Sequence, residues 1–233
     1  MHHLILFFTI WLLFLGCKQF STSKEEMAAL KSISDIYGGR CSISRIKGFS
    51  SGQSAKKILE IEVDNSVVIK SYAQYAEIFA GNIAVIAYEN VRLKVQYDLF
   101  RSIIKFSEGE QSSFEFKTDL LELVTQHKKT LQLFADALAK QDSAKTTALL
   151  KSCRYLSADD IAPFYNHIMD SDNKFGKVIG WDFGGFRFTK NEDGLKYLHL
   201  SGKLHRTRQD MQFSVDLNPK PGSNEIYMFN FNF

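Results

Sequence analysis

Apolar and polar residues recur along this chain with two different periods, and the changes of period lay out its elements. Over residues 24–37, Met27, Leu30 and Ile33 return at a spacing of three. That spacing predicts a helix, with Ser23 placed to cap its start and Gly38-Gly39 to end it. Residues 41–46 are rich in small and β-branched side chains. Residues 58–63 alternate, with Leu59, Ile61 and Val63 on one face and Glu60 and Glu62 on the other. Ser50-Ser51-Gly52-Gln53-Ser54 has turn composition, so the two strands make a hairpin. Residues 71–90 return to the helical period, with Tyr72, Tyr75, Phe79, Ile83, Ile86 and Ala87 as the apolar stripe. Strands over 99–106 and 112–116, joined by Ser107-Glu108-Gly109-Glu110, complete a ββαββ unit in which one helix covers one face of a four-stranded sheet.

From Thr118 the period is helical again. Residues 119–140 form one long helix with Leu123, His127, Leu131, Phe134 and Leu138 as its stripe. A short helix follows over 143–151. A third starts behind Ser157, whose successors Asp159 and Asp160 suit a first helical turn, and runs to about residue 169. The remainder alternates. Strands over 177–188, 195–206, 211–217 and 225–233 are separated by polar segments of hairpin size. Leu198, Leu200 and Leu204 share one face of the second strand. Met211, Phe213, Val215 and Leu217 share a face of the third, and Tyr227, Phe229, Phe231 and Phe233 a face of the fourth.

The first residues obey neither period. Leu4 to Leu15 is an apolar run of 12 residues, followed by Gly16-Cys17. A bilayer-spanning helix needs roughly 20 residues, so the run has instead the length of a secretory signal's apolar core. Phe14-Leu15-Gly16-Cys17 resembles the lipobox of bacterial lipoproteins, with Phe14 standing where Leu is usual and His2-His3 where Lys or Arg is usual. The resemblance implies cleavage before Cys17, lipid on that cysteine, and a location in the bacterial cell envelope at a periplasmic or cell-surface face. An ordinary signal peptide or an uncleaved anchor is the plainer reading. Residues 17–23 would then be the lipidated cysteine and a short tether.

Composition trims the remaining options. Of 233 residues, 45% are hydrophobic and 24% charged, which excludes disordered, collagenous and coiled-coil classes. A net charge of +3 is too small to argue for a nucleic-acid partner. Two cysteines remain beyond Cys17. Outside the cytoplasm, Cys41 and Cys153 either pair as a disulfide or stay as buried thiols.

Three helices followed by an antiparallel meander resemble the NTF2-like, cystatin-like α+β cone. Residues 134–142 resemble the opening helix of its small lipoprotein members, and Ile226-Tyr227-Met228-Phe229-Asn230-Phe231 their closing strand. The resemblance covers about residues 119–233. It implies a curved sheet around a cavity, in members that are enzymes in some cases and only bind or assemble in many. The expected organisation is therefore a signal peptide (1–16), anchor and tether (17–23), an N-terminal α+β module (24–118) and an NTF2-like domain (119–233).

Chemistry is sparse. Trp181-Asp182-Phe183-Gly184-Gly185-Phe186 puts a carboxylate in an apolar strand. Inside a cavity Asp182 would be a general base. On the outside, or at a glycine bulge, it is an ordinary surface acid. His199 and His205 are six residues apart on one strand face, about 20 Å at ~3.3 Å per residue, too far to share a metal. His127 suits a core edge, and His167 with Tyr165 and Asp170 an ordinary helix end. No HExxH, GxSxG, GxGxxG or phosphate-loop pattern occurs, and nothing in the sequence calls for a metal or cofactor. The leading expectation is a membrane-anchored, non-enzymatic binding or assembly module, taking a small apolar ligand or a protein partner. The alternative is an isomerase- or hydrolase-type enzyme with Asp182 in its cavity.

Overall fold

The computed structural model describes residues 22–48, 55–92, 96–107, 109–190, 194–223 and 225–231. In chain order these form α1 (Lys24–Tyr37), β1 (Arg40–Gly48), β2 (Lys56–Asp64), α2 (Val67–Ser71), a 3₁₀ turn (Ala73–Tyr75), α3 (Ala76–Val91), β3 (Leu99–Ser107) and β4 (Glu110–Lys117). Then follow α4 (Thr118–Ala139), α5 (Ser143–Lys151), α6 (Ala158–Phe175), β5 (Val178–Lys190), β6 (Lys196–Arg206), β7 (Met211–Leu217) and β8 (Ile226–Phe231). The fold is mixed α+β, with two four-stranded sheets ordered β1-β2-β3-β4 and β5-β6-β7-β8. The expected signal peptide, Cys17, the expected turn at 50–54 and Phe233 lie outside the described residues.

In the first sheet β1 pairs antiparallel with β2 and β3 with β4, while β2 and β3 are parallel. A parallel pair needs a crossover, which α3 provides. Leu59, Ile61, Val63, Phe100 and Ile104 are buried against the helices. The opposite face carries an ion-pair ladder: Arg101 bridges Glu60 and Glu115, and Lys105 meets Glu62. The second sheet is an antiparallel meander.

The expected helix over 71–90 is divided. Ser66 Oγ accepts from the Ile69 amide and starts α2 early. Tyr72, at φ −132°, then interrupts the helix before the 3₁₀ turn leads into α3. Tyr72 and Tyr75, expected in the buried stripe, are 54% and 46% exposed. α3 instead buries Ala80, Gly81, Ile83, Ala84, Val85 and Ala87, almost around its circumference. The reason is position: it lies between the first sheet, α1 and β5.

Small residues make that approach close. Ser102 Oγ donates to the Ala80 carbonyl at 2.9 Å from the sheet side. On the other side a side chain at Gly81 would press on Phe186 at 3.0 Å, and one at Gly185 would meet the Ile78 carbonyl at 2.1 Å. Gly185 has φ +134°, at the expected glycine bulge, where the β5–β6 register shifts between Phe183 and Gly185. Asn82, buried in α3, donates to Tyr37 Oη at 2.8 Å and to the Phe183 carbonyl at 3.0 Å, so α1, α3 and β5 meet at one amide. Phe116 of β4 packs edge-on against Phe186 of β5, with centroids 5.3 Å apart. The two sheets thus share one hydrophobic core. β4 passes into α4 with no intervening residue at the boundary expected near 118.

The inner face of the second sheet is filled. Leu198, Leu200, Leu204, Val215 and Leu217 are fully buried under α4 to α6. Phe134 of α4 stacks on Phe229 with centroids 3.9 Å apart, and Phe231 meets Phe134, Phe164 and Phe213. Arg206, with no exposed side-chain surface, ties β6 to the end of α6. It donates to Asp172 at 2.6 Å, the Gly176 carbonyl at 2.8 Å and Ser171 Oγ at 2.8 Å.

Candidate functional site

The residues singled out from sequence lie apart. Asp182 is not inside the meander. Its side chain is 62% exposed on the outer face, where Oδ2 lies 2.8 Å from His205 Nε2. Strand alternation explains this: Trp181 and Phe183 take the inward positions and leave Asp182 outward. His205 Nδ1 faces Asp210 at 3.2 Å, and Lys203 joins the same carboxylate. Farther along the face His199 Nδ1 lies 2.7 Å from Asp216, which also accepts from Asn230 Nδ2 at 3.1 Å. These are two short polar chains on a half-wet sheet. Among the described residues no group of His, Cys, Asp and Glu could hold a metal ion.

Cys41 and Cys153 are free thiols. Cys41 lies on the edge strand of the first sheet. Cys153 sits beside β8 of the second, bridged through its backbone to Ile226. Burial pushes the Cys153 thiol up to about 11, and raises that of Cys41, so both behave as small apolar side chains rather than nucleophiles. His127 is buried in α4 as part of the expected stripe. Its Nε2 meets no hydrogen-bond partner among the described residues, and burial lowers its basicity.

The most developed polar cluster was not visible from the sequence pattern. α1 buries Glu26, Ala29, Ile33 and Tyr37: of the expected Met27-Leu30-Ile33 stripe Ile33 is fully buried and Leu30 half-buried, while Met27 is 56% exposed and Glu26 and Ala29 take the inward places before them. Glu26 is therefore a buried carboxylate, 1% exposed. It closes a capping box: Ser23 Oγ accepts from the Glu26 amide, and Glu26 Oε2 accepts from the Ser23 amide at 2.8 Å. Arg45 of β1 makes a two-pronged ion pair with it, one prong at 2.8 Å, and Tyr97 Oη donates at 2.9 Å. Burial pushes the Glu26 carboxyl up. The bonds from Arg45, Ser23 and Tyr97 outweigh that and hold it at about 2. Burial and the bond to Glu26 raise the Tyr97 phenol to about 12. The spacing Ser23-x-x-Glu26 is the one signal in the sequence that could have located this carboxylate.

Beside the cluster opens a groove of about 740 Å³. It is lined by Thr22, Ile43, Ser44, Arg45, Lys47, Lys57 and Tyr97, with Glu26 at its floor. A smaller hollow of about 470 Å³ lies on the other side of Tyr97, between Tyr88, Arg92, Asp98, Lys117 and Glu122, where the charges are mixed. The chain matches no protein-family model, no curated protein and no solved structure.

Proposed function

We propose that this protein is a lipid-anchored lipoprotein of the bacterial cell envelope that works as a non-enzymatic binding or assembly module. The observation that carries the reading is the apolar run closing on Gly16-Cys17, followed within six residues by the Ser23 cap of the folded body. Among the described residues no helix is long and apolar enough to cross a membrane. One acyl chain holds a protein only reversibly, and two or three hold it durably. Support for an NTF2-like arrangement of residues 119–233 comes from the order of three helices before an antiparallel meander. The filled inner face argues for recognition at the surface rather than of a small apolar ligand inside. Asp182 on the outer face removes the base on which the isomerase or hydrolase alternative rested.

The test is Cys17→Ser. The parent chain should partition with membranes and carry the mass of acyl groups. The variant should lose the acyl mass and stay uncleaved or become soluble. Unchanged mass and partition would rule out Cys17 as the anchor.

A further inference from the structure

Two lysines stand directly opposed at one end of the first sheet. Lys47 of β1 and Lys57 of β2 are register partners, and both line the groove beside Arg45. Like charges directly across an antiparallel pair repel. Among the described residues no carboxylate forms an ion pair with either. The neighbouring acids are committed elsewhere: Glu26 to Arg45, Tyr97 and Ser23, and Asp98 to the Lys57 backbone amide at 2.7 Å. Three cations thus face the groove against one carboxylate, and that carboxylate is already paired.

The groove's place in the chain says what could supply the missing anion. Thr22, on its rim, is five residues from Cys17. An extended chain covers at most ~3.6 Å per residue, so the sulfur to be acylated lies within about 18 Å of the groove. The exposed apolar side chains Ile36, Val67 and Val68 lie at the other end of α1, a further ~20 Å along a helix of this length. Of the two ends, the basic one is the nearer to Cys17 along the chain.

We propose that this groove is an anion site for the phosphate of an acidic lipid headgroup, with Lys47 and Lys57 as its ligands and Arg45, fixed by Glu26, as its wall. The inference rests on the lipid-anchor reading for its choice of a membrane as the source. A free phosphate has the same chemistry. Binding would turn the tethered body so that the end of the sheet bearing Lys47 and Lys57 lies on the membrane.

The experiment is lysine acetylation footprinting of the full wild-type chain on vesicles. One set is phosphatidylcholine alone, the other equal parts phosphatidylcholine and phosphatidylglycerol. Lys47 and Lys57 should react about fivefold more slowly on the acidic vesicles, the change that ~1 kcal/mol per lysine gives, while exposed Lys129 and Lys151 are unaffected. Protection should fade in high salt. Equal rates at Lys47, Lys57 and the reference lysines on both vesicles would overturn the site. Equal protection by millimolar inorganic phosphate would keep the phosphate chemistry and overturn the lipid source. The anchor is read separately, by flotation of the parent and Cys17→Ser chains on phosphatidylcholine. A parent that fails to float there defeats the anchor alone, because the acidic-vesicle footprint is still measured.

Discussion

Glu26 shows how one side chain sets both a local structure and a pH response. The carboxylate is buried, yet it is held in its charged form by Arg45, Tyr97 and the Ser23 amide. Its folded value of about 2 lies below the ordinary 4.5, so the folded state binds the proton less well than the unfolded chain. The associated stability is therefore present above about pH 4.5 and is lost as pH falls from there toward 2. The size is about 3 kcal/mol at neutral pH. Glu26→Gln should lower stability by about that amount near pH 7 and flatten the acid limb, with parent and variant converging near pH 2. Urea midpoints across that range check this, and a variant that keeps the parent's acid limb would remove Glu26 as its source.

Among the elements, α3 and β5 decide how the two sheets meet. Their contact is tightest at two glycines: a side chain at Gly185 would run into the Ile78 carbonyl, and one at Gly81 would need the Phe186 ring to give by a few tenths of an ångström. Gly185 also holds a positive φ that an L side chain disfavours. Gly185→Ala should therefore destabilise by about 3 kcal/mol or more, through both strain and the clash with the Ile78 carbonyl. Gly194→Ala is the control: it shares the positive φ but meets nothing within 4 Å, so it should cost about 1 kcal/mol. Thermal melts of the two variants separate crowding from backbone strain. Similar losses would mean that the close approach to α3 contributes little.

For the whole molecule, the shared core predicts one cooperative unfolding transition. Phe186 sits at its centre, against Phe116 of the first sheet and Gly81 of α3. Scanning calorimetry should give a single peak, which Phe186→Ala should move down as a unit by about 3–5 kcal/mol of stability. Two separated peaks, with only the later sheet responding, would show that the sheets unfold independently. The same packing fixes geometry for function. It leaves the basic groove at one end of the first sheet and the polar His199 and His205 chains on the outer face of the second.

The sequence by itself determined the α+β class, the order of the strands and long helices, and most strand faces, because the period-two pattern of Leu59-Ile61-Val63, Leu198-Leu200 and Met211-Phe213-Val215-Leu217 leaves one face to bury. It also supplied α1 and α5, and offered the glycine bulge in β5 as one alternative. Tertiary structure alone decided the rest. Helical periodicity cannot show a helix buried on nearly all sides, so the role of α3 and the exposure of Tyr72 and Tyr75 were hidden. A polar residue in a buried stripe reads as surface until its partners are known. Glu26 finds Arg45 19 residues away and Tyr97 71 residues away, and local spacing carries no record of such contacts. The same holds for Asp182: whether an outward carboxylate faces a cavity or water depends on what packs over the strand, and that was settled by α4, α6 and the phenylalanines that fill the inner side.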